Sequence, residues 1–269
     1  MDPPKVNYNR IAGTYNRRFT KPNQPNTTIL LREMILKQDA RRILEVGCGT
    51  AHWLYELQNS LNPEIDHERR RFFGLDLSLG MLIQACDQKP TLILVQGEAE
   101  RLPFINRSFD LILCINAIHH FGDPRGFILE ASRLLKQGSN LAVVGTDPHG
   151  HYDDWYVYKY FSGTYELDLA RFPTQEMVND WLVEACFESI SWKLAEHIHD
   201  PKVGKDVLAD PYLEKNVSSQ LALLSDEAYH TGLEKIKAAL ASSSDDSEPP
   251  LFPTDIYLHM LTARKPEKG

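Results

Sequence analysis

The sequence lacks any apolar stretch long enough to span a bilayer, and its start, residues 1–5, lacks the apolar core of a signal peptide. Its cysteines show no paired spacing, which argues against a disulfide framework. No zinc-type spacing occurs either, since His149 and His151 lie two residues apart with no cysteine nearby. We therefore expect a cytoplasmic chain with reduced thiols, no membrane partner and no metal. The cysteines are Cys48, Cys86, Cys114 and Cys186.

An excess of basic residues is also missing, because 29 lysines and arginines face 37 aspartates and glutamates, for a net charge of −8. An acidic surface repels phosphate backbones, so we expect no nucleic-acid partner. A local basic run at residues 69–71 follows three acidic residues between positions 64 and 68, and we interpret it as a solvated loop. The length of 269 residues predicts one large domain with insertions, or one domain with a small cap.

Continuous apolar runs, bounded by glycine, proline or charged residues, recur at helix-sized intervals, as expected for parallel strands covered on both faces. Two later segments alternate in polarity, as half-exposed strands do. The predicted strands are 42–47, 71–77, 91–96, 109–116, 140–146, 189–197 and 254–263. Helical patterns predict helices at 26–37, 51–59, 78–88, 125–136 and 174–188, and a further helical segment at roughly 204–242. The alternation of strand and helix predicts a doubly wound α/β sheet.

The segment 43–50, Ile-Leu-Glu-Val-Gly-Cys-Gly-Thr, has the pattern of a buried strand that ends in a glycine turn. Glycines at positions 47 and 49 let the backbone turn sharply and approach a ligand where any Cβ would clash. Glu45, two residues before the first glycine, suits a ligand with an amino or sulfonium charge and does not suit a phosphate. No third glycine follows at the dinucleotide spacing, which weakens a nicotinamide interpretation.

Asp76 ends the second predicted strand, where a carboxylate can accept hydrogen bonds from both hydroxyls of a ribose. The alternative interpretation is an aspartate that caps the following helix. With the glycine turn upstream, we favour the ribose interpretation.

Five motifs now stand in one order along the chain. They are Glu-Val-Gly-Cys-Gly at 45–49, Leu-Asp-Leu-Ser at 75–78 with Met81, Gly-Glu-Ala-Glu-Arg-Leu-Pro-Phe at 97–104, Ser-Phe-Asp at 108–110 and Asn-Ala-Ile-His-His-Phe at 116–121. In order and spacing they resemble the class I S-adenosylmethionine-dependent methyltransferases, in the type 11 branch that includes the ubiquinone and menaquinone biosynthesis enzymes. The resemblance covers about Tyr8 to Val144, a little over half the chain.

The resemblance implies a fold and a cofactor. The fold would be a Rossmann-like sheet of seven strands, mostly parallel with the last strand antiparallel, and with helical insertions. The cofactor would be S-adenosyl-L-methionine, with S-adenosyl-L-homocysteine as the product. We predict an N-terminal cap segment at 1–40 and a methyltransferase domain at 41–269, with substrate-side insertions at about 147–173 and 200–250.

The resemblance also implies cofactor contacts. The residues implied to lie near the methionine part are Glu45, Gly47, Cys48, Gly49, Asn116 and Ala117. Those implied to contact the ribose and adenine are Asp76, Leu77, Met81, Gly97, Glu98 and Ala99. Tyr8 and Tyr15 match a segment that closes over the cofactor. Many family members have aspartate at position 98 and after each tyrosine, where this chain has Glu98, Asn9 and Asn16.

His119 and His120 are the candidate catalytic residues, because a histidine pair beside a cofactor can supply a general base. The alternative, which we favour, is a role in shaping the site, because the pair occurs in family members with many unrelated substrates. Methyl transfer from a sulfonium needs mainly in-line positioning, and a base only where the acceptor loses a proton. No catalytic residue need exist.

The aromatic segment 149–165 follows the fifth strand, whose carboxyl end faces the cofactor crevice. One interpretation is an aromatic wall of the substrate pocket, and the other is the buried face of a helix. The candidate substrate-binding residues are His149, His151, Tyr152, Trp155 and Tyr156.

The leading hypothesis is a methyltransferase that acts on oxygen, nitrogen or carbon of a small-molecule metabolite, as a monomer or a homodimer. A tRNA- or RNA-modifying methyltransferase is an alternative, against which the acidic charge counts. A non-catalytic S-adenosylmethionine-binding subunit is another. A dehydrogenase is the weakest, because the dinucleotide glycine spacing is absent.

Overall fold

A computed structural model of the chain describes residues 6–19, 25–61, 69–242 and 248–267. The strands are β1 (Arg42–Val46), β2 (Arg71–Asp76), β3 (Ile93–Gln96), β4 (Phe109–Ile115), β5 (Leu135–Thr146), β6 (Asp154–Trp155), β7 (Glu188–His199), β8 (Lys202–Val203), β9 (Leu251–Phe252) and β10 (Thr254–Arg264). The α-helices are α1 (Tyr8–Tyr15), α2 (Pro25–Lys37), α3 (His52–Ser60), α4 (Leu79–Gln88), α5 (Pro124–Leu134), α6 (Tyr156–Tyr160), α7 (Thr164–Arg171), α8 (Gln175–Glu184), α9 (Ser219–Ala222) and α10 (Asp226–Ala241).

One mixed sheet organises these elements, in the order β3-β2-β1-β4-β5-β10, with β7 on the far side of β10. The pairs from β3 to β5 are parallel, whereas β10 runs antiparallel to both β5 and β7. The predicted seven-stranded, Rossmann-like α/β sheet with an antiparallel last strand is confirmed. The two-residue strand β6 adds to it beside the start of β10, and β8 pairs with β9 separately.

The core lies on both faces of the sheet because successive strand side chains point to opposite sides. In β1, Leu44 and Val46 join the cluster under α5 and α8, whereas Ile43 joins the cluster under α2, α3 and α4. The strand order reverses between β1 and β4, since the chain builds outward to β3 and then returns to the other side of β1. A crevice opens there, at the carboxyl ends of the strands.

Three local predictions were wrong. The helix predicted at 174–188 ends at Glu184, and Glu188 is already the first residue of β7. The helix predicted at 125–136 ends at Leu134, because Leu135 pairs with Phe109 and is fully buried as the first residue of β5. The basic run is not a solvated loop, because Arg70 is buried, donates to the Ala40 carbonyl and pairs with Asp39. The acidic residues between 62 and 68 lie outside the described residues.

A third apolar cluster, here called the insertion cluster, joins the segment after β5 to the segment after β7. It comprises Trp155, Tyr156, Val157, Phe161, Val207, Leu213, Leu221, Ile236 and Phe252. The segment predicted as helical at 204–242 consists of two short 3-10 helices followed by α9 and α10. Among the described helices, none combines the length and the apolar character that crossing a bilayer requires.

Candidate functional site

A cavity of about 530 Å³ lies in the crevice at the carboxyl ends of β1, β2 and β4. Its described lining contains every residue predicted to contact the cofactor and both candidate catalytic histidines. These residues are Tyr8, Tyr15, Glu45, Gly47, Cys48, Gly49, Asp76, Leu77, Met81, Gly97, Glu98, Ala99, Asn116, Ala117, His119 and His120. The volume falls in the range typical of small-molecule and cofactor sites.

The glycine turn forms the floor of the cavity. Gly47 and Gly49 adopt φ angles of +74° and +54°, which glycine tolerates and other residues rarely adopt. A Cβ on Gly47 would lie 2.5 Å from the Cβ of Ala117, closer than two carbons can approach. The amides of Gly47 and Cys48 donate to the Leu75 carbonyl at 2.8 and 3.0 Å, so the turn is held against β2.

Asp76 links this turn to the next helix. Its Oδ2 accepts from the Gly49 amide at 2.7 Å, and its Oδ1 accepts from the Ser78 amide at 2.8 Å. Burial raises the pKa of Asp76, and these backbone hydrogen bonds oppose the rise. Each carboxylate oxygen keeps a second acceptor position. Ser78, not Asp76, is the N-cap of α4, because its Oγ accepts from the Met81 amide.

Glu45 is a buried carboxylate in the wall of the cavity, and one of its two oxygens has no partner among the described residues. Glu45 is 1% exposed, and its Oε2 has no hydrogen-bond partner among the described residues. Burial, and then the charge of Asp76, raises the pKa of Glu45 well above its usual value. A buried acceptor without a partner costs free energy, so the site favours a ligand that brings a cation or a donor. The ammonium group of S-adenosylmethionine fits this requirement.

Helix α1, close to the N-terminus of the chain, forms part of the wall of the cavity. The Tyr8 hydroxyl lies 2.7 Å from Nε2 of His120, and the rings of Tyr8 and Tyr15 meet edge to face at 5.9 Å. Tyr8 and Tyr15 also pack on the cluster that buries Met81. Leu77 is 66% exposed at the rim of the cavity.

The two asparagines that replace the family's aspartates act as hydrogen-bond acceptors. Oδ1 of Asn9 accepts from the Ser78 hydroxyl at 2.9 Å and from the Gly80 amide at 2.8 Å. Oδ1 of Asn16 accepts from the Thr50 hydroxyl at 2.6 Å. An amide oxygen therefore suffices to fasten α1 to α4 and to the glycine turn.

The histidine pair forms a stack at the wall of the cavity. The His119 ring lies 3.8 Å from the Phe172 ring at an angle of 13°, and 3.9 Å from the His120 ring. His120 and Tyr8 share one proton position across their 2.7 Å contact, whose direction depends on the tautomer of the histidine. His120 and Tyr8 together can therefore hold or pass a proton at the edge of the site.

The five candidate substrate-binding residues do not belong to the described lining of this cavity. Trp155, the last residue of β6, and Tyr156, the first residue of α6, are buried in the insertion cluster. Tyr152 is exposed, and His151 contacts the Tyr165 hydroxyl through Nδ1 at 2.6 Å. His149 contacts the Phe172 carbonyl through Nε2 at 3.0 Å.

Other residues, for which no substrate or cofactor role was predicted, occupy the wall instead. They include Phe19, Thr50, His52, Trp53, Phe121, Arg171 and Tyr212. Thr50 directly follows the first motif and Phe121 is the last residue of the fifth, so proximity in sequence was a usable signal. Arg171 and Tyr212 belong to segments with no motif, and only the folded chain brings them to the cavity.

Comparison with known proteins agrees with this geometry. Residues 44–143 match a family model described as a methyltransferase domain. The chain is 33% identical over 140 residues to a phthiotriol/phenolphthiotriol dimycocerosates methyltransferase of Mycobacterium leprae, over 51% of this chain and 50% of the relative. It is 37% identical over 101 residues to a malonyl-[acyl-carrier protein] O-methyltransferase of Hahella chejuensis, over 37% of this chain and 34% of the relative.

The chain spans about half the length of the first of these curated relatives. Among solved structures, it resembles a phosphoethanolamine N-methyltransferase 2 of Haemonchus contortus in complex with S-adenosylhomocysteine, with a TM-score of 0.58. That match has 17% identity and covers 96% of this chain and 58% of the other, so it supports the fold.

Proposed function

The chain belongs to the class I S-adenosylmethionine-dependent methyltransferases, and on this premise we propose that it transfers a methyl group to a small-molecule metabolite. The observation that carries the proposal is the buried Oε2 of Glu45, which has no partner among the described residues and lies in the same cavity wall as the glycine turn. Together with Asp76, it supports a ligand that combines a cationic group with a ribose. S-adenosylmethionine has both features, whereas a phosphate-containing nucleotide would meet two carboxylates.

We assign the cofactor roles accordingly. Glu45 holds the ammonium group, and the backbone of Gly47 and Gly49 passes under the methionine part. Asp76 accepts from the ribose hydroxyls through its free acceptor positions, while its two backbone hydrogen bonds keep it in place. The adenine is covered by Leu77 and Met81 and contacted by Gly97, Glu98 and Ala99. Tyr8, Tyr15, Asn116 and Ala117 complete the methionine end.

The chemistry needs little from the protein besides position. When bound, the cofactor supplies an electrophilic methyl group, whose bond to sulfur breaks as the acceptor atom bonds to the methyl carbon. An acceptor that loses a proton passes it to a base, and His120 is the candidate because Tyr8 orients its ring at 2.7 Å. His119 is the second candidate, since its ring is fixed on Phe172. For a neutral amine, neither histidine is required.

The names of the relatives support an acceptor other than nucleic acid, since they describe methyltransferases of dimycocerosates and of malonyl-[acyl-carrier protein]. The net charge of −8 supports the absence of a nucleic-acid partner. The free cysteines support a cytoplasmic setting. We keep residues 1–40 as a cap segment and the segments at 147–173 and 200–250 as insertions of the domain at 41–269, in a monomer or a homodimer.

The direct test is methyl transfer from S-adenosylmethionine labelled in its methyl group. We expect the label to move to at least one member of a small-metabolite panel, with formation of S-adenosylhomocysteine, and Asp76→Ala to lose this transfer. A parallel incubation with unmodified tRNA tests the RNA alternative. Label found only in tRNA would contradict the proposal, as would tight cofactor binding with no transfer to any acceptor.

A further inference from the structure

The charges around the cavity are distributed unevenly. Its described lining contains four carboxylates and one lysine or arginine side chain, which is Arg171 at the end of α7. The carboxylates are Glu45, Asp76, Glu98 and Glu100, and all four lie on the side formed by β1, β2 and the segment after β3. Arg171 comes from the segment after β5, so the cavity has an acidic cofactor side and one cation elsewhere.

Arg171 is held rigidly. Its Nη2 donates to Oδ1 of Asp168, and also to the Ser219 hydroxyl at 3.3 Å. Asp168 is fully buried and accepts from the Tyr158 hydroxyl and from Nε2 of Gln220, both at 2.7 Å. The side chain of Arg171 is 3% exposed. The guanidinium is therefore preorganised, and little entropy is lost when a ligand binds to it.

The rest of this guanidinium is unsatisfied. Among the described residues, Nε of Arg171 has no hydrogen-bond partner and Nη1 makes no hydrogen bond. A guanidinium has five N–H groups and cannot lose its charge, so open donors inside a protein leave free energy to be recovered by a ligand oxygen. Carboxylate and phosphate oxygens form the strongest of such hydrogen bonds.

The position of Arg171 connects it to the candidate reaction centre. Its neighbour Phe172 stacks on His119, and the His119 ring lies 3.9 Å from the His120 ring. The Arg171 guanidinium lies 5.9 Å from the centre of the Phe172 ring. A molecule anchored at Arg171 therefore lies along the same wall as the histidine pair.

We infer that Arg171 binds an oxyanion of the methyl acceptor, so that the substrate class is a small molecule with a carboxylate or phosphate group. This inference rests on the proposed function, because only a methyltransferase has a methyl acceptor. Asp168 is the positioning residue, because it holds Nη2 and leaves Nε and Nη1 without a partner among the described residues.

The test uses simple probes, since the acceptor is unidentified. Benzoate and phenyl phosphate carry the two oxyanions, and benzamide is the neutral control of matched shape. Calorimetric titrations are done on the full chain, with and without saturating S-adenosylhomocysteine. We expect at least one anion to bind about tenfold or more tightly than benzamide, because a charge-assisted hydrogen bond supplies that difference. Arg171→Gln should remove the preference, and Arg171→Lys should retain part of it.

Arg171→Gln leaves Asp168 buried without its partner and can prevent folding. The double variant Asp168→Asn/Arg171→Gln removes both charges, so that no unpaired charge stays buried, and it serves as the second test of the anion preference. A wild type without anion preference would overturn the inference, and so would a folded double variant that keeps the preference. Binding of S-adenosylhomocysteine is measured separately in each protein. If the wild type does not bind S-adenosylhomocysteine, the proposed function is contradicted. The anion preference is measured independently of that result, in the titrations done without S-adenosylhomocysteine.

Discussion

Cofactor binding is expected to release a proton from Glu45. In the free protein, burial and the neighbouring charge of Asp76 raise the pKa of Glu45 well above 4.5, so protonation is favoured. An ammonium group placed beside it favours the carboxylate and lowers that pKa in the complex. Binding therefore strengthens as pH rises, and the gain ends above the pKa of Glu45 in the free protein.

The size of the effect is set by one proton per ligand. The Kd for S-adenosylhomocysteine should fall by up to about tenfold for each pH unit, or about 1.4 kcal/mol, between pH 5 and the free-protein pKa. Calorimetry in two buffers with different heats of ionisation counts the released proton directly. Asp76 also has a raised pKa, and Lys89 a lowered one, so a control is required.

Methylthioadenosine supplies that control, because it keeps the ribose and adenine and lacks the amino acid. The proton release with S-adenosylhomocysteine, less that with methylthioadenosine, isolates Glu45. Glu45→Gln should abolish this difference and weaken S-adenosylhomocysteine binding. Equal proton release for the two ligands in the wild type would refute the pairing of Glu45 with the ammonium group.

The remaining predictions concern backbone space and stability. Gly47→Ala should abolish binding of S-adenosylhomocysteine, because its Cβ would lie 2.5 Å from that of Ala117. The matched control Gly13→Ala, with nothing within 4 Å of its Cβ, should bind normally and raise stability by about 0.5–1 kcal/mol in α1. Normal binding by the first variant would contradict the tight turn. Burial raises the pKa of Asp153 to about 6, so the stability that its protonation contributes is complete below pH 3.8 and is lost as pH rises through about 6. Asp153→Asn should therefore stabilise the protein at pH 8 by up to about 3 kcal/mol and little at pH 4, and equal urea midpoint shifts at both pH values would contradict this.

Much of the fold was predictable because its signals are local. The segment around β1 is apolar on both faces and ends in glycines, so strand, turn and the start of α3 follow from short-range patterns. The end of α5 was not predictable in the same way. A basic residue followed by glycine indicates a helix end near Gly138, yet Leu135 is drawn into β5 by its pairing with Phe109. That pairing joins residues far apart in sequence.

The same distinction applies to the site. The carboxyl ends of parallel strands meet at one edge, so Glu45, Asp76 and Asn116 were expected together, and they line one cavity. Trp155 and Tyr156 show the limit, because an aromatic pattern does not distinguish a pocket wall from a buried helix face. Here they pack in the insertion cluster. Arg171 carries no motif, and its place beside the cavity depends on a buried contact with Asp168.

We expect the cavity to bind S-adenosylmethionine through Asp76. Calorimetric titration of the purified protein with S-adenosylmethionine and S-adenosylhomocysteine, alongside Asp76→Ala, measures it most directly. The wild type should bind both ligands with micromolar affinity, and the variant should lose this binding. No binding of either ligand by the folded wild type, or equal binding by the variant, would contradict it.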